Sequence, residues 1–330
     1  MNILVTGGAG FIGSNIVDFL IDNGYDVVVV DNMSTGKKEN INKRARFYNV
    51  DITDSNLYKV FENEKIDVVI HHAAQIDIQK SIKDPVFDAK VNILGTINLL
   101  ECCRKYGVKK IIYASSAAVY GNPEYLGVDE KHRVYPISYY GISKHTPEHY
   151  FEVYNELYGL KYTVLRYANV YGIRQDPKGE GGVISIFIDK MLKGERPVIF
   201  GDGEQTRDFI FVKDVAKANL LALKKGDNEI INISTNKAIT INELVDIMNE
   251  IMGTYLKPIY TNSRKGDIVH SYLDNKKALE VLGWEPEYQL EQGLKETIEY
   301  YKEKYILEEE AAVTKDINVD LSYNVWSKGD

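Results

Sequence analysis

The chain has 330 residues, 44% hydrophobic and 27% charged, enough for one large or two modest domains around a substantial core. No apolar run approaches the roughly eighteen residues of a membrane span, and a formal charge of −8 with no basic cluster disfavours nucleic acid as a partner. An anionic ligand remains open, because a few arginines and a helix N-terminus are enough to hold one.

In chain order, residues 2–6 form the first expected strand and break at Gly7. With no basic segment ahead of them, they do not resemble a secretion signal, so a cytoplasmic location is expected. A helix over 11–23 follows, then strands at 26–31 and 45–51, a helix at 54–64 and a strand at 67–73. Next come a helix at 85–106, a strand at 109–115, a helix at 138–158 and a strand at 161–167. Strands that are apolar almost throughout and separated by helices predict a doubly wound α/β domain, its parallel sheet covered on both faces. Cys102 and Cys103 are adjacent within the 85–106 helix, which suits neither a disulfide framework nor zinc, and they read as plain helix residues.

After about residue 170 the pattern loosens. Helices near 213–224, 240–252 and 290–304, with short strands such as 228–234, predict a smaller mixed domain facing the first across a ligand cleft. The expected division is 1–170 for the dinucleotide-binding domain, 171–305 mainly for the substrate, with some interleaving, and 306–330 for a tail. Two readings of the tail stand, disorder or docking through Leu321, Tyr323, Val325 and Trp326.

Three features carry chemistry. Gly7, Gly10 and Gly13 are spaced GxxGxxG between the first strand and its helix, where such glycines allow a tight turn and close approach of a pyrophosphate to the helix amides. The second strand ends at Asp31, where a carboxylate can accept both ribose hydroxyls and would repel a 2′-phosphate, favouring NAD over NADP. Tyr140 and Lys144 lie at i and i+4 on one helix face. A phenol has a pKa of about 10, so ionisation near neutrality needs a shift of roughly 3 units, about 4 kcal/mol. Lys144 and a nicotinamide cation are the expected source. Ser115 and Ser116 end the 109–115 strand, followed by Ala117 and Ala118.

In this order the motifs "TGGAGFIGS", "VVDNMSTG", "DITD", "HHAAQ", "VNILGTINLL", "YASSAAVYG", "YYGISK", "LRYANVYG", "GDGEQTRDFIFVKDVA" and "RKGDI" resemble the extended short-chain dehydrogenases/reductases, and within them the UDP-glucose 4-epimerase group. The resemblance covers about residues 1–304. It implies Ser116, Tyr140 and Lys144 as the catalytic set. For NAD it implies Phe11 and Ile12 at the pyrophosphate, and Asp31 and Asn32 at the adenosine ribose within the stretch that continues through Ser34, Thr35 and Gly36. It further implies Asp51 and Ile52 at the adenine, Ala73 and Ala74 under the cofactor, and Asn92 as a further contact. For a UDP-sugar it implies Asn169, Arg207 and Arg264 at the nucleotide diphosphate and Asp267 at its ribose, with Ser271 setting the space around the sugar. A homodimer through 85–106 and 138–158 is also implied. The chain departs from some members at Ile76, where they carry lysine, and at Ala168, where phenylalanine is frequent.

The implied reaction is 4-epimerisation of UDP-hexoses through a 4-keto sugar, on both plain and N-acetylated substrates. Dehydratases and decarboxylases of the same scaffold carry acidic residues where this chain has Ala117 and Ala118, which makes them the weaker enzyme reading. Arg174 leaves UDP-glucuronate open, through a pairing with its carboxylate. A non-catalytic NAD-binding regulator is the reading outside enzymes. His71, His72 and His270 lack metal-ligand spacing, and no metal is expected.

Overall fold

The computed structural model describes residues 1–178, 182–263 and 268–323, with side chains up to residue 307. The first half alternates strands and helices: β1 Asn2–Thr6, α1 Phe11–Asp22, β2 Asp26–Asp31, β3 Arg46–Asn49, α2 Tyr58–Asn63, β4 Val68–His71, α3 Ile78–Lys83, α4 Pro85–Ala89, α5 Gly95–Tyr106, β5 Lys110–Ser116, α6 Tyr139–Tyr158 and β6 Lys161–Tyr167. The second half runs β7 Asn169–Tyr171, α7 Val183–Leu192, β8 Val198–Phe200, β9 Thr206–Arg207, β10 Phe209–Phe211, α8 Val212–Ala222, β11 Glu229–Ile233, β12 Ile239–Thr240, α9 Ile241–Met252, β13 Ile259–Thr261, α10 Lys276–Leu282 and α11 Leu290–Tyr323.

Seven parallel strands form the main sheet in the order β11-β6-β5-β4-β1-β2-β3. Its centre is apolar because both faces are covered. On one face Ile3, Val5, Ile70, Ile112 and Leu165 pack with α1 and α8. On the other, Leu4, Val69, Ile111, Tyr113 and Val164 pack with α2, α5 and α6. Burying each such aliphatic side chain is worth about 1.5–3 kcal/mol. A third core joins α7, α9 and α11 to β10.

Local chemistry sets the ends of the elements. Ser138 caps α6 by accepting the Gly141 N–H at 3.1 Å, and Gly159 ends it in the left-handed conformation at φ 70°. α4 and α5 are joined by one π-helical stretch, Lys90–Leu94, within the expected 85–106 helix. Asp214 ties the C-terminal segment to α8, its carboxylate accepting the backbone N–H groups of Glu287 at 2.8 Å and Tyr288 at 3.3 Å.

Three elements differ from the sequence reading. β11 is the edge strand of the main sheet, pairing in parallel with β6, so the chain returns to the first domain after the short strands β7 to β10. α7 had no expectation, because its nearly continuous apolar run has no clear amphipathic period. α11 continues to Tyr323, beyond the helix end expected at 304. No side-chain docking can be assigned to Leu321 or Tyr323, whose side chains are not described, and Val325 and Trp326 lie outside the described residues.

A Cβ added at Gly13 would lie 2.1 Å from the Gly7 carbonyl oxygen, inside van der Waals contact with backbone that cannot rotate away. Gly13→Ala is therefore expected to destabilise the fold by about 1–3 kcal/mol and to push α1 off the turn. Urea denaturation and NAD binding by calorimetry would both register the change.

Candidate active site

The C-terminal ends of the central strands open along one edge of the sheet, and the sequence-predicted residues gather there. The turn after β1 takes Gly7 to φ +69°, and a Cβ on Gly7 would lie 2.7 Å from the Ala73 backbone nitrogen. The loop after β4 thus presses directly on the turn, and Ala73 and Ala74 supply only methyl groups. No side chain caps the N-terminus of α1 at Gly10. The first-turn amides of Phe11, Ile12 and Gly13 have no intrahelical acceptor, which suits a pyrophosphate.

Asp31 closes the other end of this cradle. One carboxylate oxygen accepts the Ala9 N–H at 3.0 Å and the other the Met33 N–H at 2.8 Å, leaving further lone pairs for ribose hydroxyls. A Cβ on Gly36 would meet Asp31 Oδ1 at 2.8 Å, so the segment holding exposed Ser34 and Thr35 can fold over the carboxylate. Asn32 donates to Asp51 at 2.7 Å, and Thr53 donates to Asp51 twice. Burial opposes the Asp51 charge, but these hydrogen bonds win and hold its pKa below the usual range. Ile52 packs its side chain into the core beside Gly95, so only its backbone is on hand for an adenine. Asn92 lies on the π-helical stretch, and its amide is engaged by protein. It accepts the Gln75 N–H at 2.8 Å and donates to Gln75 O and Ser143 Oγ, each at 2.9 Å. The glycine turn, open helix amides and ribose-facing carboxylate fit NAD.

At the end of β5, Ser116 Oγ accepts the Ala118 N–H at 3.2 Å. Tyr140 and Lys144 rise from the first turns of α6, where Lys144 is buried with its ammonium 4.5 Å from the centre of the Tyr113 ring. Burial pushes the Tyr140 phenol up to about 12, against a hydrogen bond with Ser116, and Asp88 adds to the rise. Burial pulls the Lys144 ammonium down to about 7, with Glu148 and Asp88 opposing. The expected lowering of the phenol by Lys144 has to overcome this burial. For both groups desolvation is the largest influence.

His71 ends β4 and His72 follows it. Thr96 donates to Asn92 O at 2.6 Å, so its oxygen receives the His71 Nε2–H at 2.9 Å, and His71 Nδ1 accepts from Thr6 Oγ1 at 2.7 Å. His71 is thereby fixed as a neutral tautomer, and burial drives its pKa well below the ordinary value. His72 stacks on Tyr167 with ring centres 5.8 Å apart. Both work within the protein, and among the described residues no cluster of three or more His, Cys, Asp or Glu could hold a metal.

Facing this edge, Asn169 begins β7 and Arg207 ends β9. The Arg207 guanidinium donates to Thr206 O at 2.8 Å and Val269 O at 3.2 Å, and the Ser271 N–H reaches Thr206 O at 3.3 Å. Arg207 and Ser271 therefore share one seam. Arg264 and Asp267 lie outside the described residues. Arg174 pairs with Asp18 on α1, one terminal nitrogen lying 2.7 Å from the carboxylate. Sequence reasoning missed Asp208. Its buried carboxylate accepts the Thr235 N–H and Oγ1–H and the Asn236 N–H, while its carbonyl accepts the Asn169 N–H. Its neighbour Arg207 drew attention only through a charged side chain, and nothing local marks a buried aspartate.

A doubly wound sheet with this glycine turn, an acid ending β2 and Ser, Tyr and Lys converging from β5 and α6 defines an NAD-binding enzyme of the extended short-chain dehydrogenase/reductase class. The chain belongs to the NAD dependent epimerase/dehydratase family, whose model matches residues 3–234. It is 56% identical over 301 residues to a protein of Methanocaldococcus jannaschii provisionally named UDP-glucose 4-epimerase, covering 91% of this chain and 98% of that one. The UDP-glucose 4-epimerase of Thermotoga maritima, solved with UDP-glucose, superposes with a TM-score of 0.91 at 52% identity, covering 92% of this chain and all of that one. A UDP-N-acetylglucosamine 4-epimerase from Methanobrevibacter ruminantium, solved with UDP-N-acetylmuramic acid, gives 0.88 at 39%, covering 92% and 98%.

Lys144 sets a pH dependence. Its native pKa of about 7 lies below the ordinary 10.5, so between those values the unfolded chain binds a proton that the native protein does not. Stability should gain from this group as pH rises through that window. Urea denaturation across it is expected to give a flatter profile for Lys144→Met than for the wild type.

Proposed function

We propose that the protein interconverts UDP-hexoses at C4, acting on UDP-glucose and UDP-galactose and also on UDP-GlcNAc and UDP-GalNAc. The observation that carries the reading is the convergence of Ser116, Tyr140 and Lys144 at one strand edge, with only methyl side chains at Ala117 and Ala118. Those alanines cannot move a proton, so chemistry at the neighbouring carbons lacks the acid or base that dehydration or decarboxylation needs.

Bound in the cradle formed by the glycine turn and Asp31, NAD would supply the hydride acceptor and donor for sugar C4. Tyr140, as phenolate, would accept the 4-hydroxyl proton while Ser116 hydrogen-bonds the 4-oxygen, and it would give that proton back once the keto sugar has turned and been reduced on its opposite face. Lys144 would hold the nicotinamide ribose and favour the phenolate, and the positive charge of the bound cofactor would offset the desolvation that holds the phenol high. Arg207 and Asn169, joined by Arg264 and Asp267, grip the nucleotide diphosphate and its ribose while the sugar turns. No net redox change occurs, so the NAD stays as a prosthetic group.

Incubating the protein with each of the four UDP-sugars and separating the products tests this. Epimer formation is expected with both pairs, reduced about 10²–10⁴-fold in Tyr140→Phe. Absence of turnover on every UDP-hexose with NAD supplied would sink the reading. A small residue at Ser271 supports N-acetyl acceptance, so Ser271→Tyr is expected to remove that activity selectively, and intact UDP-GlcNAc turnover in this variant would show the pocket assignment to be wrong.

The same reading includes a homodimer. Exposed Val86, Leu94, Val153 and Leu157, at 77%, 60%, 48% and 65%, support pairing through 85–106 and 138–158. Sedimentation equilibrium is expected to give twice the chain mass, falling to the monomer in Leu94→Glu with Val153→Glu.

A further inference from the structure

Glu148 lies one turn beyond Lys144 and two beyond Tyr140 on α6, and it is buried. Its carboxylate accepts four hydrogen bonds. Oε1 takes Ser115 Oγ–H at 2.6 Å and Arg166 Nε–H at 3.1 Å, while Oε2 takes an Arg166 terminal N–H at 2.5 Å and His145 Nδ1–H at 3.1 Å. Ser115 and Arg166 face each other in the β5–β6 register, so one side chain of the catalytic helix clamps the ends of two strands. Arg166 extends the grip, donating to the Tyr120 hydroxyl at 2.9 Å, which itself donates to Asn232 at 2.8 Å.

A buried ion pair is a poor source of stability, because desolvation consumes much of the attraction. This pair lies where placement matters most, since Ser115 is the chain neighbour of Ser116. Its charge also has a partner to act on. The Lys144 ammonium is faced by Glu148 and Asp88, by the neutral His71 and His72, and by the Tyr113 ring. The two carboxylates and the face of the Tyr113 ring favour its charged form.

We propose that Glu148 is a positioning residue of the reaction, locking the Ser115–Ser116 strand end against the helix that carries Tyr140 and Lys144 and supplying the buried negative charge that keeps Lys144 an ammonium. The role rests on the epimerase reading, in which Ser116 must meet the 4-oxygen and Lys144 must carry charge.

Two readouts test it. In protein labelled with carbon-13 lysine, with Lys144→Met assigning the resonance, Glu148→Gln is expected to lower the Lys144 titration midpoint by about one unit or more. An unchanged midpoint overturns the proposal. If that substitution prevents folding, Glu148→Gln combined with Arg166→Met leaves no unpaired buried charge and carries the same titration. Separately, Ser115→Ala keeps the ion pair and cuts the link to the strand end. Its kcat is expected to fall about ten- to a hundredfold with KM and bound NAD unchanged, and an unaltered kcat overturns the positioning role. The titration needs no turnover, so a wild-type protein inactive on UDP-hexoses would remove the epimerase reading while the midpoint still decided whether Glu148 acts on Lys144.

Discussion

Seven strands running parallel impose the constraint on which the rest of the molecule depends. Parallel neighbours need crossover helices, the helices cover both faces, and the strands must then be apolar on both sides. The same arrangement brings every strand C-terminus to one edge. Thr6, Asp31, His71, Ser116 and Tyr167, spread across more than 160 residues of sequence, become neighbours along it. A fold of this kind makes its cleft before any particular ligand is considered, and side chains at the strand ends decide which chemistry the cleft performs.

What those side chains do is governed by desolvation. Around β4, β5 and α6 the protein buries a lysine, a tyrosine, two histidines, two carboxylates and an arginine within one compact region. Burial pushes the lysine, the tyrosine, the histidines, Glu148 and Arg166 toward their neutral forms, and local partners decide which remain charged. Glu148 accepts bonds from Arg166, Ser115 and His145, and its pKa falls to about 2. Lys144, with no hydrogen-bonding carboxylate, falls to about 7. The histidines, with hydroxyl partners only, stay neutral. The gap between Tyr140 and Lys144 is therefore wide in the protein's own field, and a bound cation beside the phenol has a large lever on the proton's position.

The second half of the chain shows how far tertiary structure reorganises what looks like a separate domain. β11 belongs to the main sheet and α8 packs on one of its faces, while β9, β10 and the segment around Ser271 form the opposite wall. That wall is tied by bonds between segments distant in sequence, as the Asp208 carboxylate shows by accepting from Thr235 and Asn236 while its carbonyl accepts the Asn169 N–H. Such a wall has little periodicity for a sequence reading to find.

Local chemistry that needs only neighbours along the chain could be read directly. The glycine turn, the acid ending β2, the Tyr140–Lys144 face and the alternation of apolar strands with helices each follow from short-range spacing, and the sheet's class follows from their order. Contacts that join distant segments could not. Glu148 continues the i+4 series from Tyr140 and Lys144, a visible signal, yet its partners Ser115 and Arg166 adjoin only through the β5–β6 register. The placement of β11 beside β6, the bonds of Asp208 and the pairing of Arg174 with Asp18 have the same origin. Sequence determined which groups the protein carries and which short motifs they form. Tertiary structure decided their protonation and their partners, because desolvation depends on everything packed around a group, and packing is settled only when the whole chain has folded.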